Sequence, residues 1–235
     1  MLFNTQHAIE ALKPLSLGLL MTIVLTITVG STSLVLGVFV ALGRMQKNRI
    51  LRGILTGYIT VIRATPLLVQ LIFIYYTAPF IGIRLDAWPA AYLGLTLNVS
   101  AYLSEVYRGG IESIAKGQHD AAAAIGMKPR TAMARIIFPQ AFRTLIPSLG
   151  NYMVSLFKDT SLASVVTIQE LMFKGQIVAA GNYDYMTIYT MVFFMYFLVG
   201  YPAIKCVNYL EKRMRNGYSG KKIRAAVEES KETAK

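Results

Sequence analysis

Long apolar runs separated by short charged loops dominate this chain. From Pro14 to Gly43 no residue is charged, more than the roughly 20 residues a spanning helix needs. A second run covers Ile54 to Phe80 and a third Trp88 to Gly110, with Arg84 and Asp86 between them and Trp88 placed as an interfacial anchor. A fourth runs from Ile146 to Ile168 with Lys158 and Asp159 in its middle. Either that helix ends before Lys158, or an ionisable pair is held inside the membrane. Residues 169–184 form a polar outer segment with room for a short helix, and Tyr185 to Ile204 is the last span. The pattern predicts an all-α, polytopic membrane protein with about five transmembrane helices.

The loop between the first two runs, RMQKNRILR (44–52), carries four positive charges and no negative one. Cytoplasmic loops retain Lys and Arg, so this loop is expected inside and the N-terminus outside. The loop after the third run holds Arg108, Lys116, Lys128, Arg130, Arg135 and Arg143 and is also expected inside. The basic stretch after Ile204 places the C-terminus in the cytoplasm. Residues 1–220 are read as one membrane domain and 221–235 as a solvated basic and polar tail. The N-terminus lacks a basic region followed by a cleavage site and is read as retained.

Composition agrees. Hydrophobic residues make up 54% and charged residues 15%, with mean hydropathy +0.47; a soluble domain has about 25% charged residues. The net charge of +12 does not point to nucleic acid, because the positives lie in blocks between apolar runs. Cys206 is the single cysteine, so no intrachain disulfide is possible. No GxxxxGK[ST] phosphate loop is present, so no ATPase site of that kind is expected in this chain. His7 and His119 have no acidic or cysteine cluster beside them, and no metal site is expected. Neither a G-x-S-x-G elbow nor an H-E-x-x-H helix occurs, and no covalent catalysis is expected.

One polar stretch stands out, QHDAAAAIGMKPRTAMARIIFP (118–139). Ala121 to Ala124 favour a compact helix, with Asp120 near its N-terminus favouring the dipole. Gly126 suits a left-handed stop, and Pro129 a helix start. The expectation is helix, turn, helix. Asp120-Ala121-Ala122, three residues, Gly126, nine residues and Ile136-Ile137-Phe138-Pro139 resemble the EAA-x3-G-x9-I-x-L-P loop of permease (transmembrane) subunits of binding-protein-dependent ABC importers, with Asp for Glu and Phe for Leu. RATPLLVQ (63–70), AYLSEVYRGG (101–110), GQHDAA (117–122) and LFKDTSLAS (156–164) are similar to the polar amino-acid branch of that family.

The resemblance implies a subunit that dimerises with an identical or homologous permease, docks an ABC ATPase dimer on a coupling loop at about 116–139, and receives a polar amino acid from an external solute-binding protein. Coupling would rest on Asp120, Ala121, Ala122, Gly126 and Pro139. ATP would be used by the partner subunits, with no cofactor bound by this chain. The implied location is the bacterial plasma (inner) membrane. An ion-gradient-driven secondary transporter and a passive channel subunit are the rival classes; no inverted repeat or filter ring is evident for either.

Charge at membrane depth supplies the candidate site. At 1.5 Å per residue, Glu105 lies about 10 Å inside the third span and Arg63 about 13 Å inside the second, from the same side, so the two can pair. Asp159 falls roughly 18 Å beyond Pro147. Such residues face a cavity or a partner by default. Other roles stay open: Arg63 snorkelling along its stem, Glu105 only locking two helices, Lys158 and Asp159 at the outer interface. The family resemblance places Glu105, Asp159, Thr160 and Ser161 on the central passage. Asn98, two turns before Glu105 on the same helical face, is added to the passage set, with Arg63 and Lys158 as possible charge partners.

Overall fold

The computed structural model describes residues 3–218, and every regular element among them is helical. The tail expected at 221–235 lies outside the described residues. Nine α-helices follow in order: α1 (Thr5–Arg44), α2 (Arg49–Ala64), α3 (Leu67–Ile72), α4 (Ala87–Glu112), α5 (Lys116–Ala124), α6 (Pro129–Ala132), α7 (Phe138–Asp159), α8 (Leu171–Asn182) and α9 (Tyr185–Tyr218). Wide π turns at Phe73–Thr77 and Met133–Ile137 extend α3 and join α6 to α7. Each is followed two residues later by a proline, Pro79 or Pro139. Proline lacks the N–H that an α-helix needs, and a locally wider turn accommodates that loss.

The spine is α1, 40 residues long and about 60 Å at 1.5 Å per residue. Asn4 caps it, its side-chain oxygen accepting from the backbone N–H groups of Gln6 and His7. Its sequence is apolar all round, yet only the stripe Ala11, Leu15, Gly18, Thr22, Leu25 and Val29 and its continuation are buried. Leu12, Leu20, Ile27, Val35 and Phe39 remain exposed, as expected of a face turned to lipid. The stripe packs on α4, the most enclosed helix. A methyl group at Gly37 would approach the Leu103 Cβ to 2.9 Å, so the absence of a side chain there is what brings α1 and α4 together.

Between them, α1, α4 and α7 enclose the main core, including Leu25, Val29, Leu95, Leu103, Leu145 and Leu156. A second core joins the start of α1 to α8 and α9 through Leu15, Leu171, Ile188 and Val192. It encloses one carboxylate. Glu170 is fully buried; it caps α8 by accepting from the backbone N–H groups of Met172 and Phe173, and it accepts from the Tyr196 hydroxyl at 2.8 Å. The short helix for which residues 169–184 had room is α8, anchored by this acid.

Three expectations are corrected. The second apolar run is not one straight span: its two halves, Arg49–Ala64 and Leu67–Ile81, are bent by 108°. Pro66 forces this, because the residue before a proline is driven out of the helical region, and Thr65 is extended at φ −119°, ψ 142°. The fourth helix begins at Phe138, earlier than Ile146, and ends at Asp159, where a 3-10 turn (Thr160–Val166) takes over; Lys158 and Asp159 are thus its last two residues. Asp120 is the fifth residue of α5, with no acid in the first turn of that helix.

Among the described residues, α1 and α9 are long and apolar enough to cross a membrane, and the bent α2–α3 pair counts as a third. The 26 residues of α4 and the 22 of α7 reach about 39 and 33 Å, enough to cross, but both are less apolar. On α4 the reason is its interior position: Thr96, Asn98, Ser100 and Ser104 are buried against other helices.

Candidate functional site: a polar cavity, an ion-pair hub and a protruding elbow

The break between α2 and α3 opens a cavity. Thr65, Pro66 and Leu67 form one wall, Asn98 and Tyr102 of α4 a second, and Tyr152, Ser155 and Asp159 of α7 a third, around a volume of about 300 Å³. Each wall has a local cause. Pro66 supplies the break, the interior face of α4 supplies Asn98, and the end of α7 presents Asp159. Asn98 is 8% exposed and donates from Nδ2 to the Gln70 Oε1 at 3.0 Å, which leaves its carbonyl oxygen free to accept. Gln70 is itself held by Nε2 donating to the carbonyl oxygens of Ile62 and Thr65, so the amide pair braces the break. Asp159 forms no ion pair among the described residues.

Along α4 the residues Asn98, Tyr102, Glu105, Arg108 and Glu112 recur at helical spacing on one face. The first two line the cavity; the last three form an ion-pair hub nearer to α5. Glu105 pairs with Arg44 at the end of α1, and through Oε2 with the Arg108 Nη2 at 2.7 Å. Arg108 also reaches Glu112 at 2.6 Å. Arg63 comes no closer to Glu105 than 3.9 Å; its guanidinium lies over the Tyr102 ring, 5.7 Å from the centroid.

Sequence-predicted residues thus divide. The structure brings Asn98 and Asp159 to one cavity. Glu105 sits outside that wall, held by Arg44 and Arg108, and the Arg63–Glu105 pair foreseen from depth is the loosest contact of the hub. Thr160 and Ser161 do not belong to the wall either. The 3-10 turn points their hydroxyls back to the carbonyl oxygens of Phe157 and Lys158, at 2.7 Å each, and Thr160 is fully buried. Lys158 is exposed and does not line the cavity. Sequence reasoning missed Tyr102, Tyr152, Arg44 and Arg108. The i, i+3 and i, i+4 spacing of Glu105, Arg108 and Glu112 is a readable signal for Arg108; Arg44 is 61 residues from Glu105 and meets it only through helix packing.

At the end of the bundle beyond the hub, α5 and α6 form an exposed elbow. Ala121 to Ala124 lie in α5, where only Ala122 is buried. Gly126 takes φ +75°, the left-handed turn, and Pro129 opens α6. Pro139 lies in the first turn of α7. Asp120 is exposed, on the same smooth helix.

A multi-helix membrane bundle with a bracing polar cavity and a protruding Ala-rich elbow defines a transport subunit of the permease class. The chain belongs to the family described as binding-protein-dependent transport system inner membrane component, whose model matches residues 33–216. It is 42% identical over 201 residues to the L-cystine transport system permease protein TcyB of Bacillus subtilis (strain 168), covering 85% of this chain and 86% of that protein. It is 36% identical to the probable glutamine ABC transporter permease protein GlnM of the same organism, covering 86% and 93%. Among solved structures, an amino acid ABC transporter crystallised with histidines superposes with TM-score 0.83 at 32% identity, over 87% of this chain and 96% of that one.

Proposed function

We propose that the chain is the membrane subunit of an ATP-driven importer of a polar amino acid. A dimer of ABC ATPases supplies energy, an external binding protein supplies the substrate, and a second permease, identical or homologous, completes the passage. The N-terminus lies outside and the C-terminus in the cytoplasm of a bacterial inner membrane, which the charge of the 44–52 and 116–143 loops supports. The elbow bearing Asp120, Ala121, Ala122, Gly126 and Pro139 is the ATPase dock. Its small side chains offer a smooth helix to a groove, and the proline-started continuation into α7 carries motion at the elbow to the cavity wall at Asp159. Alternating access then moves walls that different helices contribute.

The observation that carries the substrate assignment is Asp159, a carboxylate at the cavity wall with no ion pair among the described residues. An acid in such a place needs a partner, and a substrate ammonium group supplies one. Asn98 offers its carbonyl oxygen as a second acceptor, and the Tyr102 and Tyr152 rings give apolar flanks. Glu105 acts at one remove, by holding α1 to α4, and Thr160 and Ser161 by tying their hydroxyls back to the last carbonyls of α7, the end that presents Asp159.

The test is uptake of labelled L-cystine, L-glutamine and L-arginine into proteoliposomes holding the permease with its ATPase and binding protein. ATP-dependent uptake of one of them is expected, and Asp159→Asn is expected to assemble normally and lose at least about tenfold of the rate, the loss of one charge-assisted contact. Uptake driven by an ion gradient without ATP overturns the importer; undiminished uptake by Asp159→Asn overturns the role of the acid.

A further inference from the structure

Every α-amino acid carries a carboxylate as well as an ammonium group, and the cavity wall described above contains no cation. We infer that Arg63 is the residue that receives the substrate carboxylate, a specificity determinant at the end of the cavity that faces the hub. This rests on the amino-acid reading of the cavity and extends it.

Four observations place Arg63 there. It is the last basic residue of α2, two positions before Thr65 in the cavity wall. Its guanidinium lies over Tyr102, a ring that lines the cavity. Its side chain is 49% exposed, so it is accessible and has room to move. Its ion pair with Glu105 is 3.9 Å long, beyond hydrogen-bond length, whereas Arg44 and Arg108 already satisfy the same carboxylate. A loose, half-exposed pair of this kind holds its partner weakly.

Arg63 can therefore leave Glu105 without leaving an acid unpaired, and a guanidinium offers two parallel N–H donors to a carboxylate. Tyr102 keeps the guanidinium close to the wall before the substrate arrives. With Asp159 on α7 taking the ammonium group and Arg63 on α2 the carboxylate, the two ends of the substrate bridge two helices whose contact the α2–α3 break otherwise leaves open. Arg44 and Arg108 are held by Glu105, and Lys158, the cation next to Asp159 in the chain, is exposed and lies outside the wall.

The test uses the permease–ATPase complex in nanodiscs without the binding protein, because that protein makes its own selection. Binding of L-arginine, L-glutamine and L-cystine is measured against the α-carboxamide of each (the bis-carboxamide for cystine). The wild-type complex is expected to prefer the free carboxylate by at least about tenfold, the worth of one charge-assisted contact. In Arg63→Gln the ratio is expected to collapse to about 1–2, and Lys158→Met is expected to keep it. Arg63→Met, which retains the aliphatic stem over Tyr102, carries the same expectation if the Gln variant does not assemble. A ratio unchanged in the Arg63 variants, a ratio lost in Lys158→Met instead, or equal weakening of acid and amide overturns the assignment, the last result meaning that Arg63 only braces helices. Binding of an acid with no wild-type preference over its amide also overturns it while leaving the cavity reading intact. Failure of all three amino acids to bind the wild-type complex overturns both.

Discussion

Glu105 has two competing roles, recognition of substrate or attachment of helices, and a double-mutant cycle separates them. The structure places its carboxylate between Arg44 of α1 and Arg108 of its own helix, with side-chain exposures of 19%, 21% and 34%. Exposed pairs contribute about 0.2–1 kcal/mol, and breaking a fully buried pair costs about 3–5 kcal/mol. One-fifth exposure lies between these limits, so Glu105→Gln is expected to cost about 2 kcal/mol. Much of that cost comes from leaving Arg44 without its acid, since Arg108 keeps Glu112 at 2.6 Å. Arg44→Gln removes the stranded charge. The cycle of Glu105→Gln, Arg44→Gln and the double variant is therefore expected to return a coupling energy of about 1–2 kcal/mol. Equilibrium SDS titration of the purified full chain in mixed micelles supplies the stabilities. If the two substitutions add to within about 0.3 kcal/mol, the Arg44–Glu105 attachment is not energetic and the locking role fails. Strong coupling, with ATP-driven uptake retained in the double variant, establishes Glu105 as a brace for the end of α1.

Two further outcomes follow from particular residues. At Gly126 a Cβ meets nothing within 4 Å and only the φ of +75° matters, so Gly126→Ala is expected to cost about 1 kcal/mol and Gly126→Val more, with Gly126→Asn tolerated best; equal ATPase association by all three variants refutes the need for this turn. At the opposite end of the bundle the Asp184 carboxylate accepts from the Thr187 N–H at 3.0 Å and lies 2.9 Å from the His7 Nδ1, and the His7 contact, followed by the Thr187 hydrogen bonds, holds its pKa below the usual Asp value. That attachment of α1 to α9 is therefore complete above the ordinary Asp value of about 3.9 and lost as pH falls through the lower folded one. Amide exchange in residues 4–8 is expected to rise in that acid window and to be independent of it in Asp184→Asn; an unchanged acid dependence in that variant refutes the link.

Much of the architecture was legible because apolar periodicity and loop charge are local properties. The uncharged run after Pro14 reads directly as the long α1, and the Ala-Gly-Pro order of 121–129 reads as an elbow, since Gly126 and Pro129 act through their own backbone preferences. Pro66 was equally visible, and its effect was underrated. A hydropathy window averages across a proline, whereas the chain cannot continue a helix through Thr65, and that break builds a wall of the cavity. The end of α7 was left open by sequence, because an acid and a base within an apolar run fit either a buried pair or a helix terminus. Which neighbours each charge meets was decided by packing. Depth counting suggested an Arg63–Glu105 pair, which the structure holds only as a 3.9 Å contact, because depth is one coordinate and the partner is chosen by rotation and approach of helices. Gly37 lets α1 come close to α4 and thereby delivers Arg44 to Glu105, a contact between residues 61 positions apart. The same packing turns Asn98 and Asp159, from two separate helices, toward one space, and turns Thr160 into the core. Sequence by itself determined the long α1, the turn of the elbow and the blocks of charge; tertiary structure decided which polar groups face one another, because that depends on contacts between helices that no local pattern encodes.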